Sequence, residues 1–410
     1  MAVRVLHFSD AHIDTASGGK KDPASGLPIR VTDFLSALDQ IIDCALQEQV
    51  DLVLFAGDAY RNPTPVPTYQ REWGKRMMRL SQAKIQVLML TGNHDVSPAA
   101  GRASALQEYE TLGIPCIHLA RTIRLWHPQD LGGVPVQVLT VPWVSKSTMV
   151  AALGLQRYTL EEQNSRLEAE VSERIHLALE DSDPALPVIL LAHYAVPGAK
   201  YSKRQSVMIG REVLLSPGLV KNPRFSYSAL GHLHKFQDLN AGSQPPVIYS
   251  GSIERVDFGE TDEEKGFVLA EVGNGHADYV FRRIVGRKFY NLEISPQTAE
   301  TFLPEVMSVL PSPEETEGAM IRLTVTYPKE WESFLDENEL RKYMNRALEF
   351  HLIRKTTQPQ RIRVLGDESV LSLEPAVLLR KYCEMNDYET EQVSALLEQA
   401  RPFFENPSGG

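Results

Sequence analysis

Five short clusters of metal-ligand residues punctuate the first 234 positions: Asp10-Ala11-His12, Gly57-Asp58, Gly92-Asn93-His94-Asp95, His193 and Gly231-His232-Leu233-His234. Carboxylate, amide oxygen and imidazole without cysteine suit hard or borderline ions such as Mn²⁺, Fe²⁺ or Zn²⁺ rather than an iron–sulfur cluster or thiolate zinc. Asp10, His12, Asp58, Asn93, His193, His232 and His234 are too many ligands for one ion. Two ions roughly 3.5–4 Å apart, with one bridging carboxylate, fit better, because such a pair can bind a hydroxide nucleophile and the oxygens of a phosphate ester together. Asp58 is the candidate bridge. Taken singly, an Asp-x-His or Gly-Asp is ordinary turn chemistry, and His193 could be a satisfied core histidine. The ordered set points to a two-metal hydrolase.

Each cluster follows an apolar run that stops at polar residues: Val3 to Phe8, Asp51 to Ala56, Ile85 to Leu90, Pro187 to Ala192 and Tyr227 to Leu230. Such runs read as buried strands. In open α/β sheets ligands bind where strands end, so residues distant in sequence converge at successive strand ends.

Three stretches carry a family resemblance. They are His7-Phe8-Ser9-Asp10-Ala11-His12, Tyr227-Ser228-Ala229-Leu230-Gly231-His232-Leu233-His234-Lys235, and Tyr249-Ser250-Gly251-Ser252-Ile253-Glu254-Arg255-Val256-Asp257-Phe258-Gly259-Glu260. The chain resembles the calcineurin-like metallophosphoesterase superfamily and, within it, the SbcD nucleases. The third stretch is the most subfamily-specific and is expected to be dispensable for metal binding. The resemblance implies an α/β core, a two-sheet β-sandwich flanked by helices, with Asp10, His12, Asp58 and His234 on one ion and Asp58, Asn93, His193 and His232 on the other. His94 is left uncoordinated near the scissile phosphate. An imidazole titrating near neutral pH can protonate the departing alkoxide or hold a phosphate oxygen. Asp95 is expected to orient His94. Some relatives have a histidine three residues after the bridging aspartate. Here that position is Arg61, so the role does not transfer, and a phosphate contact and an exposed surface arginine stay equally open.

Three domains are expected: an α/β core over residues 1–285, a small α+β unit over 286–366 and a helical segment over 367–410. In the core, a helix is predicted from Asp33 to Gln49 behind a Thr32 cap, and an exposed acidic helix over 157–181. The second unit should hold strands at Phe289–Leu292, Met320–Tyr327 and Arg361–Leu365 and a helix from Glu337 to Leu352. By resemblance it is a capping domain that leans over the metal site. The last segment reads as two helices, one carrying Val377, Leu378 and Tyr382, the other Val393, Leu396, Leu397 and Ala400. It either packs on its own chain or docks the coiled coil of an SbcC-type ATPase. Trp73, Met77, Met78 and Leu80, with a second helix near 103–112, are ordinary core residues by composition but match the dimer-forming helices of the relatives, so a homodimer is expected.

Composition bounds these readings. Hydrophobic content of 43% with 23% charged residues is that of a globular chain, and three scattered cysteines imply neither a disulfide framework nor a zinc knuckle. A strand begins at Val3 with no signal-peptide pattern, and no apolar run approaches the roughly 18 residues of a membrane span, so a cytoplasmic location without membrane contact is expected. The net charge of −11 argues against a general nucleic-acid coat. Local basic pairs could still meet DNA: Lys20-Lys21, Lys203-Arg204, Arg282-Arg283 with Arg287-Lys288, and Arg354-Lys355 with Arg361 and Arg363. The favoured expectation is a Mn²⁺-dependent DNA exo- and endonuclease with an ATPase partner. The alternatives are a small-molecule phosphomonoesterase or cyclic-nucleotide phosphodiesterase, and a non-catalytic structural subunit.

Overall fold

Near-continuous apolar runs such as Val3–Phe8 and Val188–His193 are needed when both faces of a sheet are covered, and both faces are covered here. The computed structural model describes residues 2–13, 19–96, 102–203, 212–357 and 390–405, together with 374, 376, 377, 379, 380, 383 and 388. In chain order its strands are β1 (Val3–Phe8), β2 (Leu52–Phe55), β3 (Gln86–Leu90), β4 (Ile117–Ala120), β5 (Arg124–Trp126), β6 (Gln137–Val141), β7 (Val188–His193) and β8 (Tyr227–Gly231). They continue as β9 (Gln237–Asp238), β10 (Val247–Tyr249), β11 (Gly266–Gly273), β12 (His276–Arg283), β13 (Phe289–Ile294), β14 (Met320–Pro328) and β15 (Glu349–Thr357). One six-stranded sheet has the order β12-β11-β1-β2-β3-β4, the other β5-β6-β7-β8-β10-β9. β1 to β4 are mutually parallel, as are β6, β7, β8 and β10, so their C-terminal ends lie on one side of the molecule.

The two-residue repeat of each strand sorts its side chains between two cores. Val3, Val5, Leu52, Leu54, Leu88 and Leu90 meet Ile189, Leu191, Tyr227 and Ala229 between the sheets. The alternate residues, Leu6, Phe8, Val53, Phe55, Val87 and Met89, face the helices α1 (Ile29–Gln47), α2 (Pro67–Gln82) and α3 (Gln107–Leu112). On the far side Val188, Leu190 and Leu230 pack under α4 (Lys146–Ala152), α5 (Leu160–Glu180) and α6 (Pro217–Val220). The expected two-sheet sandwich flanked by helices is therefore the architecture.

Several local expectations shift. Helix α1 begins at Ile29, a turn before the expected Thr32 cap, whose hydroxyl instead donates to the Ile29 carbonyl at 2.7 Å. Burial of Val31 and anchoring of Arg30 on Asp33 and the Arg255 carbonyl draw that first turn into the helix. Helix α5 has the expected polar surface and a Thr159/Glu162 capping box, but Leu167, Val171 and Ile175 form a buried stripe. Trp73, Met77 and Leu80 are fully buried within their own chain, leaving Met78 as the exposed member of the expected dimer stripe.

Beyond the sandwich, β13, β14 and β15 form an all-parallel three-stranded sheet with α7 (Phe302–Ser308) and α8 (Glu337–Tyr343) in the two crossovers. The helix expected from Glu337 to Leu352 stops at Tyr343, and Glu349–Thr357 is β15. Pairing along the whole length of β14 outweighs the local helix preference of this segment. Arg361–Leu365 and Leu378 and Tyr382 of the first C-terminal helix lie outside the described residues. The second C-terminal helix is α9 (Thr390–Glu405), with Val393 buried and Leu396 exposed. Among the described residues no helix is long and apolar enough to cross a membrane.

Arg287 joins the third sheet to the core through Asp33, at 2.6 Å for both nitrogen–oxygen pairs, and through the Gly318 carbonyl. It is thereby removed from the candidate DNA contacts. Lys20 likewise donates to the Ala347 carbonyl at 3.3 Å.

One buried group sets an acid limit on the fold. His7 lies between the sheets with Nδ1 3.1 Å from the Tyr227 hydroxyl, and burial pushes its imidazole down to about 3, against a weaker opposing contact from Leu230. The unfolded chain gains this proton below pH about 6.5 and the folded chain does not, so stability falls as pH drops from about 6.5 towards about 3. Urea denaturation of wild type and His7→Leu at pH 7 and pH 5 should show the smaller pH-dependent loss in the variant; equal losses would remove His7 as a cause.

Candidate metal centre

The seven expected ligands and His94 come together at the C-terminal ends of the parallel strands. Asp10 and His12 follow β1, Asp58 follows β2, Asn93 and His94 follow β3, His193 ends β7, and His232 and His234 follow β8. The loops after β1 and β2 pair with each other: Asp10 N donates to the Gly57 carbonyl at 2.9 Å and His12 N to the Asp58 carbonyl at 3.1 Å. Asp10, His12, Asp58 and His232 adopt left-handed backbone, with φ of 53°, 42°, 63° and 94°. Such conformations cost of order 1–3 kcal/mol each and survive where the surroundings hold them. Gly92 is dictated by proximity, since a Cβ there would lie 2.2 Å from Asp58 Oδ1.

Two sets of donor atoms result. In one, His12 Nε2 lies 3.0 Å from His234 Nε2, 3.7 Å from Asp10 Oδ1 and 3.8 Å from Asp58 Oδ2. In the other, Asn93 Oδ1 lies 3.1 Å from His193 Nε2 and 2.9 Å from His232 Nδ1, and His193 Nε2 is 3.4 Å from Asp58 Oδ2. Asp58 thus stands between the sets, its Oδ1 accepting from His94 N at 2.8 Å. A further group, His12, Asp58 and His94, also brings its ligand atoms within 4.8 Å of one another.

These residues fit divalent cations. Asp10 is fully buried; Oδ2 accepts from Ser9 Oγ at 2.5 Å and His232 N at 3.1 Å, but among the described residues Oδ1 has no hydrogen-bond partner. A buried carboxylate oxygen without a donor is unfavourable unless a cation faces it. Burial, then the neighbouring His234, hold His12 well below the usual imidazole value, in the neutral form that ligates. Burial opposes ionisation of Asp58, but His193 and His12 hold its carboxyl well below the carboxylate range.

The carboxylates and carbonyls behind the histidines include groups the sequence reading missed. His193 Nδ1 donates to the Ala56 carbonyl at 2.6 Å, His232 Nε2 to Glu212 Oε2 at 3.1 Å, and His234 Nδ1 to Glu260 Oε1 at 2.7 Å. Glu260 belongs to the stretch expected to be dispensable for the metals, and it sits directly behind a candidate ligand. The available signal was that stretch's specificity; only folding brings Glu260 and Glu212 to their histidines.

Asp95 does not orient His94 as expected. Its carboxylate accepts from the backbone N–H groups of Asp58 at 2.8 Å, Ala59 at 3.0 Å and Gly92 at 2.9 Å, tying the β2 and β3 loops together. His94 Nδ1 instead donates to the Arg61 carbonyl at 2.8 Å. Arg61 therefore contributes its main chain, and its side chain is exposed.

Asp95→Asn should misplace the loops, because both carboxylate oxygens accept from backbone N–H groups and an amide replaces one of them with a donor. The expected result is a stability loss of about 1–3 kcal/mol together with weakened Mn²⁺ binding by titration calorimetry. Unchanged Mn²⁺ binding would show that the loop bonds of Asp95 do not set the positions of the ligands.

The sequence profile of the calcineurin-like phosphoesterase family matches residues 3–236. The SbcD subunit of the Rhodobacter capsulatus SbcCD nuclease is 26% identical over 345 residues, 79% of this chain and 80% of that protein. The Thermoplasma acidophilum "DNA double-strand break repair protein Mre11" is 24% identical over 282 residues, 67% of this chain and 63% of that protein. Among solved structures, a dimetal phosphatase from Danio rerio aligns at 13% identity with a TM-score of 0.37, covering 68% of this chain and 98% of that one. With a profile match that spans every candidate ligand and more than half its length, the chain belongs to the calcineurin-like phosphoesterase family.

Proposed function

We propose that this phosphoesterase is a two-metal-dependent DNA exo- and endonuclease of the SbcD type, acting with an SbcC-type ATPase. The observation that carries the reading is the convergence of seven donors on two sets that share Asp58, with an orphaned Asp10 oxygen inside and His94 beside them. The two relatives are named as nuclease and break-repair proteins, which favours DNA as substrate. Asp10, His12, Asp58 and His234 would hold one ion and Asp58, Asn93, His193 and His232 the other. Divalent ions, Mn²⁺ first among them, supply Lewis acidity that activates water and neutralises charge on a phosphodiester.

The chain's own groups do the rest. The ring of His94 stands edge-on to His12 with centroids 5.0 Å apart, and its Nδ1–H is committed to Arg61. That leaves Nε2 as the position for a second proton, which the imidazolium form can give to the departing alkoxide or share with a phosphate oxygen. Residues 286–366 form the cap, residues 367–410 carry the ATPase-docking helices, and two copies pair through the α2 and α3 side, where Met78, Val66 and Leu112 are exposed. A cytoplasmic location suits these roles.

One observation favours the small-ester alternative: several of the expected DNA-contact cations already face acids. Lys203 pairs with Asp262, Arg283 with Glu264, and Arg354 with Glu332 and Glu337. Purified protein with Mn²⁺ should cleave blunt duplex and hairpin DNA; hydrolysis confined to p-nitrophenyl phosphate esters would favour the alternative. His94→Gln should lower DNA cleavage by roughly 10²–10⁴-fold while still binding Mn²⁺, and loss of the metals in this variant would refute the assignment.

Deleting residues 367–410 should leave Mn²⁺-dependent cleavage intact and abolish binding to the ATPase in a pull-down. Retained binding would assign those residues to packing on their own chain.

A further inference from the structure

The two outer histidines rest on supports of different character. His232 faces Glu212, whose side chain is 25% exposed, whereas His234 faces Glu260, whose side chain is 4% exposed. The second oxygen of Glu260 lies 2.8 Å from Lys265 Nζ and accepts from Val256 N at 3.0 Å. Lys265 is also buried, and its Nζ donates to the carbonyl of His234 itself at 2.9 Å. One ion pair thus grips His234 twice, Glu260 at the ring and Lys265 at the main chain.

Glu260 in turn ends a short 3₁₀ turn, Phe258–Glu260, in which Asp257 accepts from Gly259 N at 2.5 Å. The ring at the start of that turn, Phe258, is gripped by all three strands of the third sheet. Phe289 of β13 lies 5.3 Å from it between centroids, His351 of β15 lies 5.6 Å away, and the Arg322 guanidinium of β14 stands 4.8 Å from the ring centre. A single residue, Gly259, therefore separates the contact with the third sheet from the contact with His234.

We propose that Glu260 is a positioning residue: it holds His234 as the Nδ1–H tautomer with Nε2 turned towards Asp10 and His12, and the third sheet sets its place through Phe258. The inference rests on the metal-centre reading and adds that one ion, the one His234 would share with Asp10 and His12, depends on this support while its neighbour does not. A carboxylate behind a ligating histidine fixes ring and tautomer, and its loss typically weakens metal affinity 10–100-fold.

The test is a Mn²⁺ titration of the full chain, with free ion counted by electron paramagnetic resonance. Wild type should bind two ions, and Glu260→Gln should weaken one of the two binding steps by about 10–100-fold. Phe258→Ala should weaken the same step by less. The double variant Glu260→Gln/His234→Ala should bind no worse than His234→Ala, because the effect runs through that ring. Wild-type affinity in Glu260→Gln, or additive losses in the double variant, would overturn the proposal. Absence of Mn²⁺ binding in wild type would instead sink the metal-centre reading and this inference with it. Should Glu260→Gln fail to fold, nitrogen NMR of ¹⁵N-histidine-labelled wild type with Zn²⁺, assigned against His234→Ala, decides the matter. A proton on Nδ1 of His234 is expected, and its absence overturns the proposal.

Discussion

Two carboxylates, Asp10 and Asp58, are buried at the ends of adjacent parallel strands, and the rest of the site answers to their charge. Removing a carboxylate from water is costly unless donors or cations surround it. Here the near surroundings are imidazoles, the Ser9 hydroxyl, an amide oxygen and a few backbone N–H groups, and among the described residues one Asp10 oxygen accepts no hydrogen bond. Divalent cations would complete that balance. The same demand explains the left-handed backbone at Asp10, His12, Asp58 and His232, which turns both side chains and amides inwards over a short path.

A third carboxylate, Asp95, has a different task. By collecting backbone N–H groups from two loops it makes the turn after β2 and the turn after β3 one unit, and the spacing between Asp58 and Asn93 follows from it. Gly92 belongs to the same unit, since any side chain there would strike Asp58. Rigid strands supply the platform, and interlocked loops supply the geometry.

The third sheet is bound to this platform by charge and aromatic contact. Arg287 and Arg30 converge on Asp33, Arg30 also lies over Phe289, and Phe258 reaches into the sheet from the segment that carries Glu260. These contacts also take up Arg287, which the linear chain offered as a DNA contact.

The candidate ligands were legible in the chain because their types are rare in combination and each follows a buried strand. The strand runs themselves were equally plain, since burial on both faces leaves continuous apolar stretches. What the chain alone could not say is which group stands behind each ligand. Asp95 next to His94 in sequence holds backbone instead, and Glu260, 26 residues from His234, holds its ring. Hydrogen-bond partners are set by loop paths in three dimensions and have no periodicity. Likewise Glu349–Leu352 reads locally as the end of a helix and becomes the start of β15 because β14 offers it a full ladder. Local chemistry and burial pattern determined the candidate metal ligands and the strands; long-range contact decided the supports, the third sheet and the fate of the buried Trp73 and Met77.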